Sequence, residues 1–224
     1  MESNSEKIRK RVHNRLKIAR EGLPFIGIGV AFCLLFTVLD LDLAAAILGA
    51  LTLFTIYFFR DPERRNDSSE KTVLAPADGR ILGVHSLEDG KSLLGEPGTK
   101  VSIFMSVFNV HVNRIPATGR ISGISYFPGR FFSANLDKAS AQNENNRVTL
   151  ETFGRHIVFV QIAGLIARRI ACWIKEGDEV KAGQRFGLIR FGSRLDIYLP
   201  RDIRVVVQKD QKVKAGETIL GYLP

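Results

Sequence analysis

The sequence predicts an α+β chain that is predominantly β, in which a hydrophobic helical hairpin precedes a β-rich domain. Three observations predict it: two long apolar runs near the N-terminus, period-two patterning from Thr72 onward, and glycine-bearing turns at short intervals after that. At 224 residues the chain has room for one domain of ordinary size and a small appendage.

The first element is a basic arm over residues 1–22. Residues 1–20 hold seven Lys and Arg against two Glu, a net +5 out of a formal +9 for the whole chain. Such an arm can bind nucleic acid or anionic lipid, and the segment after it decides. Runs 24–39 and 43–59 are apolar and are separated by Asp40-Leu41-Asp42. As helices each spans about 25 Å at roughly 1.5 Å per residue, a little short of a bilayer core of about 30 Å. A second apolar run follows the first with no small-residue cleavage site between them, so a removable signal peptide is not expected. Arg60, Arg64 and Arg65 follow the second run, and the turn is acidic. The positive-inside tendency then places both ends on the cytoplasmic face of the cell (inner) membrane, with lipid and not nucleic acid as the partner of the arm. Residues 23–60 are read as a membrane-associating hairpin and 61–224 as one β-rich domain. A buried hairpin of a soluble protein is the plainer alternative.

Asp61-Pro62 ends the second helix, and 63–71 is a polar linker. Strands are expected at 80–85, 101–108, 110–115, 119–126, 147–152, 156–162, 169–174, 185–191, 195–199 and 203–208. Residues 131–146 are polar and irregular, a loop or a short helix. Val180-Lys-Ala-Gly-Gln184 recurs as Val213-Lys-Ala-Gly-Glu217, each ahead of a short apolar strand. With Ala75-Pro-Ala-Asp-Gly79 these turns resemble the hairpins of lipoyl- and biotinyl-type domains, so the β domain is expected to be barrel-sandwich-like. Their glycines supply the positive φ that tight turns demand. No Met-Lys-Met-like attachment lysine sits on a hairpin tip, which disfavours a swinging-arm carrier. The two cysteines, Cys33 and Cys172, lie in apolar stretches and support no disulfide framework, and no Cys/His cluster has metal-ligand spacing.

The informative site is Gly192-Ser193, inside Leu188-Ile-Arg-Phe-Gly-Ser-Arg-Leu-Asp-Ile-Tyr-Leu-Pro200. A Gly-Ser pair alone usually marks an ordinary turn. This one closes an ordered series: Phe58-Phe-Arg-Asp-Pro62, Ala75-Pro-Ala-Asp-Gly79, the block 101–114, Asn143-Glu-Asn-Asn-Arg147, the block 162–169 and then 186–200. Together these blocks resemble the compact bacterial branch of the phosphatidylserine decarboxylase family over nearly the whole chain. The resemblance implies self-cleavage at Gly192-Ser193, with Ser193 becoming a covalent pyruvoyl group, the cofactor. That group would form a Schiff base with phosphatidylserine and release CO₂, giving phosphatidylethanolamine. It implies a large chain 1–192 and a small chain 193–224 that stay associated, and it leaves room for a higher oligomer. Asp78 matches the aspartate assigned to supporting self-cleavage. His111 matches a histidine ahead of a Pro-x-x-Gly turn, here Pro116-Ala-Thr-Gly119. Two departures stand out: Arg194 occupies a position where longer members often carry Thr, and Arg114 stands where a second histidine is common.

The chemistry sets its own requirements. Gly192 has no side chain, so the Ser193 hydroxyl can approach its carbonyl carbon closely. A base must take the hydroxyl proton, and imidazole suits the task with an unperturbed pKa of about 6.5. A strand over 110–115 puts His111 and Asn113 on one face and Val110 and Val112 on the other. The substrate carboxylate needs an apolar pocket, for which Phe191 and the 127–132 stretch are candidate walls. The lipid phosphodiester needs a cation, and Arg168, Arg169 and Arg194 are the candidates. No metal is expected. A non-enzymatic, membrane-anchored barrel-sandwich adaptor is the alternative, and it would remain one intact chain. A serine hydrolase is a weaker reading, because no Gly-x-Ser-x-Gly elbow occurs.

Overall fold

The computed structural model describes residues 17–65, 69–88, 91–132, 142–164, 169–190 and 193–224. It contains two compact units, one ending at Glu63 and one over Arg64–Pro224.

In the first unit α1 (Leu23–Val38) and α2 (Asp42–Phe58) form a hairpin. Pro24 stands in the first turn of α1, where a missing N–H leaves no helical bond unmade. The helices meet through small residues. A Cβ at Gly29 would collide with Thr52 Oγ1, one at Gly49 would lie 3.7 Å from Cys33 Sγ, and Cys33 Sγ donates to Ala45 O at 3.4 Å. Thr52 and Thr55 return their hydroxyls to Leu48 O and Leu51 O, both at 2.8 Å. The outward side chains are apolar and exposed, reaching 79% at Val38 and 77% at Leu43. A surface of this kind suits lipid better than water. With the 3₁₀ turn Arg20–Gly22, the first helix runs Arg20–Val38, 19 residues, long and apolar enough to cross a bilayer; α2 is shorter at 17. The base of the hairpin closes through Ala19 N–H to Phe59 O at 2.7 Å and Asp61 N–H to Lys17 O at 2.6 Å. Arg60 lies over the Tyr57 ring at 3.9 Å, a pairing suited to a bilayer interface.

The second unit is β throughout. Its strands are β1 (Thr72–Leu74), β2 (Gly79–Leu87), β3 (Gly98–Met105), β4 (Val112–Arg114), β5 (Gly119–Phe127), β6 (Asn145–Thr152) and β7 (Arg155–Ala163). They continue with β8 (Ile170–Cys172), β9 (Glu179–Val180), β10 (Arg185–Ile189), β11 (Ser193–Pro200), β12 (Arg204–Val205), β13 (Lys212–Val213) and β14 (Ile219–Tyr222). Eight of them form one sheet in the order β13-β2-β3-β11-β7-β6-β5-β9, and two smaller sheets run β1-β14-β12 and β4-β10-β8. The large sheet curls into a half-barrel. Alternate residues point inward, so Ile81, Ile103, Leu150, Phe159, Leu195 and Ile197 meet in one fully buried core.

Two halves of this unit repeat each other. Between β1 and β2 the chain reads Ala75-Pro-Ala-Asp-Gly79, and between β4 and β5 it reads Ile115-Pro-Ala-Thr-Gly119. The segments grip each other reciprocally: Leu74 N–H donates to Pro116 O at 2.8 Å and Arg114 N–H to Pro76 O at 2.9 Å. Each is then closed by one of the Val-Lys-Ala-Gly turns. Gly216 N–H donates to Ala75 O, and Gly183 N–H to Ile115 O, both at 2.8 Å. Ala215 N–H donates to Asp78 Oδ1 at 2.7 Å, and in the other half Ala182 N–H donates to Thr118 Oγ1 at 3.1 Å. Gly183 and Gly216 have φ of 78° and 72°, the region where a side chain would be strained. The echo seen in the sequence is therefore one part of a longer repeat.

The expected strands are present, with 203–208 and 169–174 shortened to β12 and β8, and with further differences. The two- and three-residue strands β1, β9 and β13 were not expected, being too short to show a period. Residues 145 and 146, expected in a loop, belong to β6. The expected strands 101–108 and 110–115 retreat to Met105 and Val112, because Ser106–Asn109 forms a tight turn, with Asn109 Oδ1 accepting from Ser106 N–H at 2.9 Å.

Candidate active site

Three strands leave the large sheet and continue, still side by side, in a small one. The neighbours β3-β11-β7 in the first correspond to β4-β10-β8 in the second. β3 passes into β4 through 106–111, β7 into β8 through 164–169, and β10 precedes β11 with three residues between them. Ser193 opens the central strand, paired with Met105 on one side and Ala163 on the other. Regular pairing of β10 ends at Ile189 and that of β11 begins at Ser193, so the middle strand has changed sheets by Ser193.

Ser193 alternates with Leu195, Ile197 and Leu199, so its side chain faces the core, and it is fully buried. Its Oγ lies 3.8 Å from Met105 Sδ. Asn113 Nδ2 reaches the same sulfur at 3.6 Å. Behind it, Gln161 Nε2 donates to Asn113 Oδ1 at 2.9 Å, and Asn146 Nδ2 donates to Gln161 Oε1 at 3.0 Å. A Cβ at Gly187 would collide with Ala171 O and approach Gln161 Nε2 to 2.9 Å, which accounts for glycine at that position. Sequence reading did not single out Gln161 or Asn146. The available signal was an amide in an apolar strand, Val158-Phe-Val-Gln161-Ile162. The thiol of Cys172 stands beside Asn146, and burial raises its pKa.

His111 is fully buried one residue ahead of β4, where period two places it on the face of Asn113. Its Nδ1 lies 3.0 Å from Asn109 O. A carbonyl only accepts, so Nδ1 carries the proton and Nε2 is the basic nitrogen. Asp78 is buried, but both carboxylate oxygens are engaged: Arg64 Nη2 holds Oδ2 at 2.9 Å and Ala215 N–H holds Oδ1. Its counterpart in the repeat is Thr118, a residue with no acid-base chemistry. Arg114, at the position where a second histidine is common, donates to Gly183 O at 2.9 Å and so ties β4 to a turn.

The arginines separate. Arg194 alternates to the side of β11 opposite Ser193 and is 2% exposed. Its Nε donates to Asp196 Oδ1 at 2.6 Å and its Nη2 to Ser102 Oγ at 2.8 Å. A lipid phosphate near Ser193 would lie across the sheet from it. Arg169 is exposed just before β8, and its carbonyl accepts from Arg190 N–H at 3.4 Å. Gly192, Arg168 and Phe191 lie outside the described residues. Phe127 is 40% exposed with the Arg147 guanidinium 4.3 Å from its ring centre. Among the described residues no three His, Cys, Asp or Glu are grouped to hold a metal.

A half-barrel with a buried serine at the head of its central strand, a buried imidazole one residue ahead of β4 and an apolar hairpin earlier in the chain defines a β-rich class of protein with a serine-centred candidate site. A model of the family described as phosphatidylserine decarboxylase matches residues 51–221. The phosphatidylserine decarboxylase proenzyme of Syntrophus aciditrophicus is 51% identical over 206 residues, covering 91% of this chain and 96% of the relative. Proenzymes of the same description from Desulfotalea psychrophila and Geobacter metallireducens are 46% and 47% identical, covering 93% and 92% of this chain and 98% and 97% of the relatives. The chain belongs to the phosphatidylserine decarboxylase family.

Proposed function

We propose that this protein decarboxylates phosphatidylserine to phosphatidylethanolamine through a pyruvoyl group that it makes from Ser193 by breaking the Gly192-Ser193 bond. The observation that carries the reading is the placement of Ser193 at the crossing of three strands, in a chain about half identical to proenzymes of that activity.

The residues divide the work of self-cleavage as follows. His111 Nε2 takes the hydroxyl proton of Ser193, and Oγ attacks the carbonyl carbon of Gly192. Collapse breaks the C–N bond, protonates the nitrogen and leaves an ester. Removal of the Ser193 α-proton then expels residue 192 as a carboxylate, and the resulting dehydroalanine tautomerises and exchanges ammonia for water. The pyruvoyl carbonyl supplies the electron sink for loss of CO₂. Residues 193–224 suit such a break, because β11 pairs with β3 and β7, β13 with β2, and β14 with β1. The cut chains 1–192 and 193–224 therefore stay interleaved. Asp78 serves as a support of the scaffold, and Arg169 and Arg168 are the remaining cations for the lipid phosphate.

Access from a lipid surface has support at the same end of the sheet. Phe127 pairs with Asn145, Asn145 with Ile162, and Ile162 with Arg194, so Tyr126 and Phe127 share the rim of Ser193. Phe108 stands on the turn that follows Met105, 65% exposed, with Tyr126 at 55%. The hairpin and the basic arm support a position on the cytoplasmic face of the cell membrane.

Intact mass tests the reading, with wild type beside Ser193→Ala and His111→Ala. Wild type should give two chains split at 192, the short one lighter than its unmodified sequence by one ammonia. Ser193→Ala should stay whole, and His111→Ala should cleave about 10²–10⁴-fold more slowly. A wild-type chain that remains intact would put the membrane-anchored adaptor first.

A further inference from the structure

We infer that the buried amides Asn146, Gln161 and Asn113 form a directed relay whose last donor, Asn113 Nδ2, stabilises the oxyanion of self-cleavage. The inference rests on the self-cleavage reading above and names a donor which that chemistry requires. Asn146 is 3% exposed, and Gln161 and Asn113 are fully buried. Stability does not call for them, since a buried amide does no better than break even against a well-packed apolar side chain. Their neighbours on the same inward face, Val148, Leu150, Ile157 and Phe159, are all apolar.

The direction of the relay is set at its inner end. A thioether sulfur only accepts, so Asn113 presents Nδ2 to Met105 and turns Oδ1 toward Gln161. Gln161 must then donate Nε2, which leaves Oε1 to accept from Asn146. Each carbonyl accepts and each NH₂ donates one step nearer Ser193, and successive bonds polarise one another by about 10–30%. The last acceptor is the weakest. An N–H resting on sulfur loses little when it turns to an anionic oxygen, and a bond to a charged acceptor is roughly twice as strong as a neutral one.

Nucleophile and donor converge on one atom, because Ser193 Oγ and Asn113 Nδ2 both touch Met105 Sδ. In the step itself, Oγ bonds to the Gly192 carbonyl carbon and the π pair moves to the oxygen. The hydroxyl proton passes to His111 Nε2, and Asn113 Nδ2–H donates to the oxyanion. Asn113 is a catalytic residue in this account. Gln161 and Asn146 are positioning residues that stop its carboxamide from rotating, with Gly187 leaving space for the Gln161 amide.

The test replaces the relay without opening a hole: Asn113→Leu, Gln161→Met and Asn146→Leu together, in the full chain made by cell-free synthesis. Removing all partners at once for side chains of similar shape is close to neutral for stability. Three readouts are needed: melting temperature against Ser193→Ala, the time course of cleavage, and hydroxylamine, which cuts the ester intermediate. The triple variant should melt with Ser193→Ala, cleave about 10²–10³-fold more slowly than wild type, and release nothing with hydroxylamine because no ester forms. Asn113→Leu alone should reproduce the loss, and it serves as the second variant if the triple one fails to fold. A folded variant that cleaves close to the wild-type rate, or accumulates an ester that hydroxylamine cuts, overturns the relay. A wild-type chain that never cleaves overturns the self-cleavage reading instead, and the unsubstituted parent reveals that separately.

Discussion

Successive residues of β11 face different surroundings. Ser193, Leu195, Ile197 and Leu199 point into the core, while Arg194, Asp196 and Tyr198 point to the other side and are buried there too. Val158, Val160 and Ile162 pack with Tyr198 in a second cluster, joined by Leu87 and Leu94. That covered outer face engages Arg194, a candidate substrate cation, with Asp196 and Ser102: alternation predicts an outward residue but not what lies over it. Tyr198 makes the burial measurable. Its pKa is pushed up to about 12, chiefly by burial and then by the Asp196 charge. The unfolded hydroxyl ionises near the ordinary value of about 10, so the native state holds its proton longer. The contribution is fully present below pH 10 and is lost as pH rises toward 12. At about 1.4 kcal/mol per unit the loss is about 2–3 kcal/mol. Urea unfolding of the uncleaved Ser193→Ala chain at pH 9 to 12 should show it, and Tyr198→Phe should flatten that part of the profile. A profile unchanged by Tyr198→Phe would mean that the hydroxyl titrates alike in both states.

At the scale of elements, the repeat sets Asp78 beside Thr118. The resemblance attached Asp78 to self-cleavage, but position for position it corresponds to Thr118, and both accept from the alanine N–H of a Val-Lys-Ala-Gly turn. Asp78→Ala should therefore damage stability more than chemistry. It removes the better buried of the two carboxylates that hold Arg64, leaving Glu217 alone, and removes the acceptor of Ala215 N–H, a cost of about 2–4 kcal/mol. Asp78→Thr, borrowing the residue of the other half, should recover part of it. Unfolding and cleavage time courses measured together separate the two roles. A stable Asp78→Ala chain that does not cleave would return this carboxylate to the chemistry. Much of the scaffold was legible beforehand because glycine turns and alternation are local signals. The strand crossing was not: residues 101–115 read as two strands of unspecified partners, and only pairing reveals that three neighbours change sheet together. Ser193 and His111 entered as candidates through motif resemblance, whereas Gln161 carries no motif, Asn146 falls inside one of the resembling blocks with no role attached to it, and a single amide in an apolar strand has no distinctive period.

For the whole molecule, two forces are available to hold the chain on a membrane, and they respond oppositely to salt. The basic arm attracts anionic lipid at about 1 kcal/mol per Lys or Arg near the surface. At 1 M salt the Debye length shrinks to about 3 Å, and that attraction fades. The hairpin buries apolar surface instead, with side chains such as Leu43 and Leu53 exposed by 77% and 68%; burial of this kind is not screened and strengthens slightly in structure-making salts. Its first helix alone, 19 residues, covers about 28 Å at roughly 1.5 Å per residue. Full-length protein floated with phosphatidylserine-containing vesicles should therefore stay with the lipid in 1 M salt and leave only with detergent, as expected for a hairpin set among acyl chains. Release by salt alone would make the arm the anchor and the hairpin an accessory. Substrate would then reach Ser193 from a protein resting on the headgroups, with the rim of Phe108, Tyr126 and Phe127 as its remaining apolar contact with the bilayer.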